Sequence, residues 1–186
     1  MKSLIPYILL LFLYFNCDFE KAWILTDHPD LNLINGTLFL RNTSFDGHLV
    51  DYYDEDSLKS LTVFKNGRKN GVEKHWNANG TLAVERYYRN GIKVGRHRGR
   101  YLNGQLQFEY FFNDEGRYHG SNKEWYATGQ LARDFNFVNG HEVGLQRLWK
   151  INGNIRANYE VRNGERFGLI GLKKCNTLTV NRQTLE

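Results

Sequence analysis

The sequence is poor in the features that mark most catalytic or nucleotide-binding chains. No nucleophile elbow, no P-loop and no G-x-G-x-x-G is present, although glycine is abundant at 18 of 186 residues. Neither covalent hydrolysis nor phosphate binding therefore has a recognisable motif. No cofactor is implied, and the expectation is a protein that is not an enzyme. Two cysteines allow at most one disulfide, which excludes a disulfide-built framework. Lys and Arg number 25 against 20 Asp and Glu, and a net charge of +5 is too mild to imply nucleic acid. No hydrophobic run reaches the roughly 20 residues of a spanning helix. What is present is a 41% apolar chain of one-domain length with 15% aromatic residues and only two prolines.

The N-terminus, MKSLIPYILLLFLYFNC, carries Lys2, an apolar run from Leu4 to Phe15, then Asn16 and Cys17. This reads as an export signal over residues 1–17; an uncleaved N-terminal helix acting as an anchor is the other reading. A cysteine four residues after Leu13 resembles a bacterial lipoprotein signal. The resemblance implies that Cys17 is acylated and tethers the chain to a membrane in the cell envelope, with residues 18–34 as a leader. A periplasmic or extracellular protein is the alternative. Cys175 then has no partner in the chain; a Cys17 to Cys175 disulfide and an inert buried thiol are the other possibilities.

Glycines recur with a fixed period. Gly71, Gly95, Gly120, Gly144 and Gly168 are separated by 24, 25, 24 and 24 residues, and Gly47 precedes them at the same interval. Two further series, from Gly80 and from Gly67, keep step, so residues 48–168 are five tandem units. Nine glycines follow an asparagine, a pair suited to tight hairpin turns in which both central residues take positive φ. Between the turns the residues alternate. One face carries Thr62, Arg86, Tyr110, Phe135 and Tyr159 in one column, and Phe64, Tyr88, Phe112, Phe137 and Val161 in another. Period-two alternation is a half-buried strand, so each unit is one β-hairpin. The expected fold is all-β: an elongated antiparallel meander of about eleven or twelve strands. Asn35–Gly47 reads as an N-terminal capping hairpin and residues 169–186 as a C-terminal cap and tail. Its open edges invite self-association.

The pattern G-x4-W-[YKN]-x2-G-x-L-x5-[YF]-x-NG-x3-G, seen in GVEKHWNANGTLAVERYYRNGIKVG, resembles the bacterial MORN-repeat variant, in proteins often labelled YwqK-family antitoxins. The resemblance covers Asn35 to about Gly168. It implies an extended sheet of hairpins that serves as a scaffold for a protein partner, and sometimes for lipid. An antitoxin that neutralises a partner toxin, or a self-assembling structural protein, is the alternative.

Four side-chain series invite chemistry. His75, His97, His119 and His141 drift against the repeat and read as solvent-exposed turn residues, so no metal site is expected. Glu85, Glu109 and Asp134 share a column whose members lie about 10 Å apart, because another strand runs between them. They read as cross-strand partners of Lys74, Arg98, Lys123 and Arg147. That basic column shares strand parity with Trp76, Arg100, Trp125 and Trp149, and interleaved cations and aromatics make these eight residues the candidate binding face. The competing reading is that the tryptophans form an apolar spine covered by the lysine and arginine stems.

Overall fold

The computed structural model describes residues 22–171, in which every regular element is a strand. Cys17, Cys175 and the signal segment lie outside the described residues. Four short strands come first: β1 (Ala22–Leu25), β2 (Leu31–Ile34), β3 (Thr37–Leu40) and β4 (Thr43–Ser44). The repeats follow as β5 (Gly47–Tyr52) and β6 (Leu58–Lys65), β7 (Arg68–Trp76) and β8 (Leu82–Arg89), then the two-residue β9 (Ile92–Lys93). The series continues with β10 (Gly95–Arg100) and β11 (Leu106–Phe112), β12 (Gly120–Trp125) and β13 (Leu131–Val138), β14 (His141–Trp149) and β15 (Ile155–Arg162), and ends at β16 (Glu165–Leu169). From β5 onward each strand pairs with the next, except that β9 and β10 both pair with β8, and the main sheet has 13 strands. The expected antiparallel meander is what forms.

The N-terminal part differs from the expectation. The stretch 18–34, read as a leader, contains two strands. β1 adds to β5 in parallel, with Ala22 opposite Gly47, and β2 pairs with β3. The cap is therefore a separate three-stranded sheet, β2-β3-β4, rather than a hairpin confined to Asn35–Gly47. The Asn35–Gly36 pair turns from β2 into β3, so LNLINGTLFL is one strand-turn-strand signal. The cap is fused to the first repeat turn. Leu38 N donates to Gly67 O at 2.8 Å and Gly67 N to Phe45 O at 2.9 Å, while Leu38, Phe45 and Phe64 form a buried cluster beneath.

Asn-Gly pairs serve two purposes. At Asn66, Asn90, Asn139 and Asn163 both residues have positive φ, as a two-residue type I′ turn requires. At Asn79, Asn103 and Asn152 only the glycine does. There the asparagine Oδ1 accepts from the residue two positions on, Thr81 N at 3.0 Å, Gln105 N at 3.1 Å and Asn154 N at 3.2 Å, and the register shifts beside Trp76 and Trp149. These are longer turns closed by a bulge, so the two ends of the sheet are built differently. The 25-residue spacing arises in the turn Asn113–Gly116, outside any strand, and the alternation continues unbroken on either side.

The predicted apolar columns form the core. Thr62, Phe64, Phe135, Phe137, Tyr159 and Val161 are buried on one face, and Tyr118 joins Phe112 and Phe137 in a row of contacting rings. Gly99 has its own reason to lack a side chain. It lies opposite Phe108, and a Cβ there would fall 2.1 Å from the Phe108 ring, which stacks on Tyr110 at 4.8 Å. Gly99→Val should cost about 1–3 kcal/mol through overpacking. Phe108→Ala in the same chain should recover part of that loss in a urea-denaturation double-mutant cycle. Additive effects of the two changes would show that the ring does not need this space.

Candidate binding surface

On the face opposite the aromatic row, the register lines up one residue from each strand. Lys74 stands opposite Glu85, Glu85 opposite Arg98, Arg98 opposite Glu109, Glu109 opposite Lys123, Lys123 opposite Asp134, and Asp134 opposite Arg147. Charge alternates at every step. Directly opposed side chains in an antiparallel pair are close enough for opposite charges to stabilise the pairing. Arg98 Nη2 lies 2.5 Å from Glu85 Oε2, and Lys74 Nζ lies 3.7 Å from Glu85 Oε1. The hydrogen bond from Arg98, against the opposing effect of burial, holds the Glu85 carboxyl below its usual range. Further along, Asp134 accepts from Ser121 Oγ at 2.9 Å, and Arg147 faces Asn158, which carries no charge. The cationic half of the candidate face is thus threaded with its own counter-ions.

Trp76, Arg100, Trp125 and Trp149 are the last residues of β7, β10, β12 and β14, all half-buried. Their row edges the sheet at the long-turn end. A tyrosine from the preceding unit pins each tryptophan's main chain: Tyr53 Oη donates to Trp76 O at 3.0 Å, Tyr101 Oη to Trp125 O and Tyr126 Oη to Trp149 O, both at 2.8 Å. Where the tryptophan position holds Arg100, its Nη1 donates to Gly104 O at 3.0 Å. Repeat-equivalent recesses open beside two of the tryptophans. Trp76, Leu58 and Gly80 line one of about 400 Å³, and Trp125, Leu106 and Gly129 line one of about 560 Å³. The structure therefore separates the eight candidate residues into two rows, a row of alternating charge across the sheet that is ion-paired at Lys74, Glu85 and Arg98, and a mostly aromatic row at its edge.

A third series escaped the sequence reading. Two residues after four of the closing glycines stand Glu73, His97, Asn122 and Gln146, only 4%, 2%, 2% and 0% exposed. Each points to the aromatic face, where the preceding strand is irregular. Gln146 Oε1 accepts from Asn136 N at 3.0 Å, and its Nε2 donates to Asn136 O and Val143 O, both at 2.9 Å. Asn122 Oδ1 accepts from Phe111 N at 2.8 Å. His97 Nε2 lies 3.2 Å from Tyr87 N and 2.9 Å from Tyr87 O. His97, Asn122 and Gln146 complete main-chain hydrogen bonds that the bulged ladder leaves open, whereas Glu73 is held by the side chains of Lys69, Arg86 and Tyr88. The expectation of four exposed turn histidines is corrected for two of them: His75 lies half-buried inside β7, and His97 is a core residue whose pKa burial pushes below the usual value. Among the described residues, no three His, Cys, Asp or Glu side chains are placed to hold a metal ion. The available signal was positional, a G-x-polar triplet repeated in register, and four different side chains concealed it.

The hairpin β7–β8 and the hairpin β12–β13, with their shared turn geometry, can be compared with known repeats. Two segments match the MORN repeat variant, residues 69–90 and 118–139. Each MORN-variant match holds one strand pair of the main sheet, its Trp-end turn and a buried polar residue two positions after the closing glycine, Glu73 or Asn122. A search of curated proteins returned no match for the chain. MORN repeats in general are scaffolds for protein or membrane binding.

Proposed function

We propose that the protein is a non-catalytic repeat scaffold, exported and tethered to a membrane through Cys17, that binds a protein or envelope ligand along its sheet. One observation carries the scaffold reading: a single continuous sheet of 13 strands, ending at β16 among the described residues, presents aromatic and charged rows at a fixed repeat. Extended repeat surfaces of this kind act by presenting area rather than an enclosed site. Export and tethering rest on the N-terminal segment alone.

The test is radiolabelled palmitate incorporation with membrane fractionation in a bacterial host, comparing the wild type with Cys17→Ala. Label in the membrane fraction that disappears in the variant is expected. An unlabelled, full-length cytosolic product would sink the export reading and favour an antitoxin-like role in its place.

A further inference from the structure

Trp125 also borders a second recess, of about 280 Å³, whose walls are the rings of Tyr101, Phe108, Tyr110, Trp125 and Tyr126 together with Gln107 and Ala132. Among the residues lining it, Glu124 is the one that carries charge. We propose that this recess binds a quaternary ammonium head group of the choline type.

The aromatic walls are held in place before any ligand arrives. Tyr101 Oη is committed to Trp125 O and Tyr126 Oη to Trp149 O, both at 2.8 Å, and Tyr110 Oη donates to Glu124 Oε1 at 2.7 Å. With the hydroxyls committed, the rings are held in place, and preorganised rings reduce the cost of binding. Rings that converge from several strands suit a cation wrapped in methyl groups, whose charge is attracted to the π faces. Arg133 Nη1 pairs with Glu124 Oε1 at 2.9 Å, and Glu124 Oε2 has no hydrogen-bond partner among the described residues. Glu124 supplies the anionic charge among the lining residues of the recess. The volume is several times the roughly 30 Å³ that a water molecule occupies, enough for a trimethylammonium group.

The combination is confined to one repeat, which sets it apart from scaffolding. In the unit before, the positions of Tyr101, Phe108 and Glu124 hold Asn77, Val84 and Gly99; in the unit after, the positions of Phe108, Glu124 and Tyr126 hold Arg133, Leu148 and Lys150. Gly99 is itself the departure that makes room for Phe108. Arg100 lines the other recess that Trp125 borders, so a cation beside this tryptophan is available to a phosphate carried on the same ligand. This favours a phosphocholine-type group over a methylated lysine. The inference rests on the scaffold reading and gives one point of the sheet a ligand class, but it requires neither export nor acylation.

The test is isothermal titration of the full chain, held in a maltoside detergent, with choline, its neutral isostere 3,3-dimethylbutan-1-ol, phosphocholine and Nε-trimethyllysine. Choline should bind saturably, with the isostere at least about tenfold weaker, as expected when charge on the aromatic faces decides. Trp125→Ala should abolish binding. Glu124→Gln, which keeps an oxygen for Tyr110 but leaves Arg133 without its counter-ion, should weaken choline several-fold in a protein that still melts cooperatively, while Leu33→Ala, an exposed position outside the recess, leaves binding unchanged. Choline and isostere binding alike, or choline failing to bind, overturns the site. Trimethyllysine binding more tightly than phosphocholine overturns the head-group assignment. Palmitate labelling is untouched by either result, so failure here and failure of the tethered reading are distinguishable.

Discussion

Gln146→Leu should destabilise the protein by about 4 kcal/mol, because leucine of similar size leaves polar main-chain groups buried without partners. Gln146 is fully buried, and its amide serves both Asn136 N and Asn136 O as well as Val143 O. Each buried group stranded by the change costs about 1–3 kcal/mol. Phe135 and Phe137, on either side of the irregularity at Asn136, belong to the main core cluster, so the loss reaches the centre of the sheet. Gln146→Asn should cost less, since Asn122 fills the equivalent position and still accepts from Phe111 N at 2.8 Å. Urea denaturation measures the stability, and hydrogen exchange at the Asn136 amide reports the site itself. A leucine variant as stable as the wild type, with Asn136 still protected, would show that the side chain is not holding the bulge.

At the equivalent position in the first matched hairpin, Glu73 should make stability strongly dependent on acid. Its carboxylate is 5% exposed and is paired with Lys69 Nζ, while Arg86 Nη1 and Tyr88 Oη each lie 3.2 Å from Oε2. Burial alone would raise its pKa, but the hydrogen bond and charge of Lys69, then of Arg86, outweigh it and lower the value from 4.5 to about 2. A folded-state pKa below the unfolded one means that this contribution is fully present above about pH 4.5. It is lost progressively as the pH falls toward 2, and a shift of this size corresponds to about 3 kcal/mol. Glu73→Gln should lower stability at neutral pH, because Lys69 and Arg86 lose their counter-ion, and should flatten the acid limb. Urea melts between pH 6 and 2 decide this: parallel acid limbs for the two proteins would place the titration elsewhere.

These two positions also show where sequence reading reached and where it stopped. The columns headed by Phe64 and Thr62 were legible because a sheet imposes a period of two and the repeat keeps it in register. The pairing of Lys74, Glu85 and Arg98 was legible for the same reason. Glu73, His97, Asn122 and Gln146 were not: the last three mend a bulge, a main-chain event that several polar side chains can satisfy, and Glu73 at the same position holds an ion-pair cluster instead. The strands at Ala22–Leu25 and Leu31–Ile34 precede the first repeat, so the period gave no help there.

By itself the sequence determined the hairpin unit, the number of units, the strand alternation and the face that would be buried, since local turn chemistry and periodicity are written residue by residue. Only the tertiary structure decided that β1 joins the sheet in parallel, that the cap is a separate sheet, and that His97 is core. It alone also brought Tyr101, Phe108, Glu124 and Tyr126 around Trp125. Those outcomes depend on register shifts and on contacts between residues far apart in the chain, and neither leaves a periodic trace.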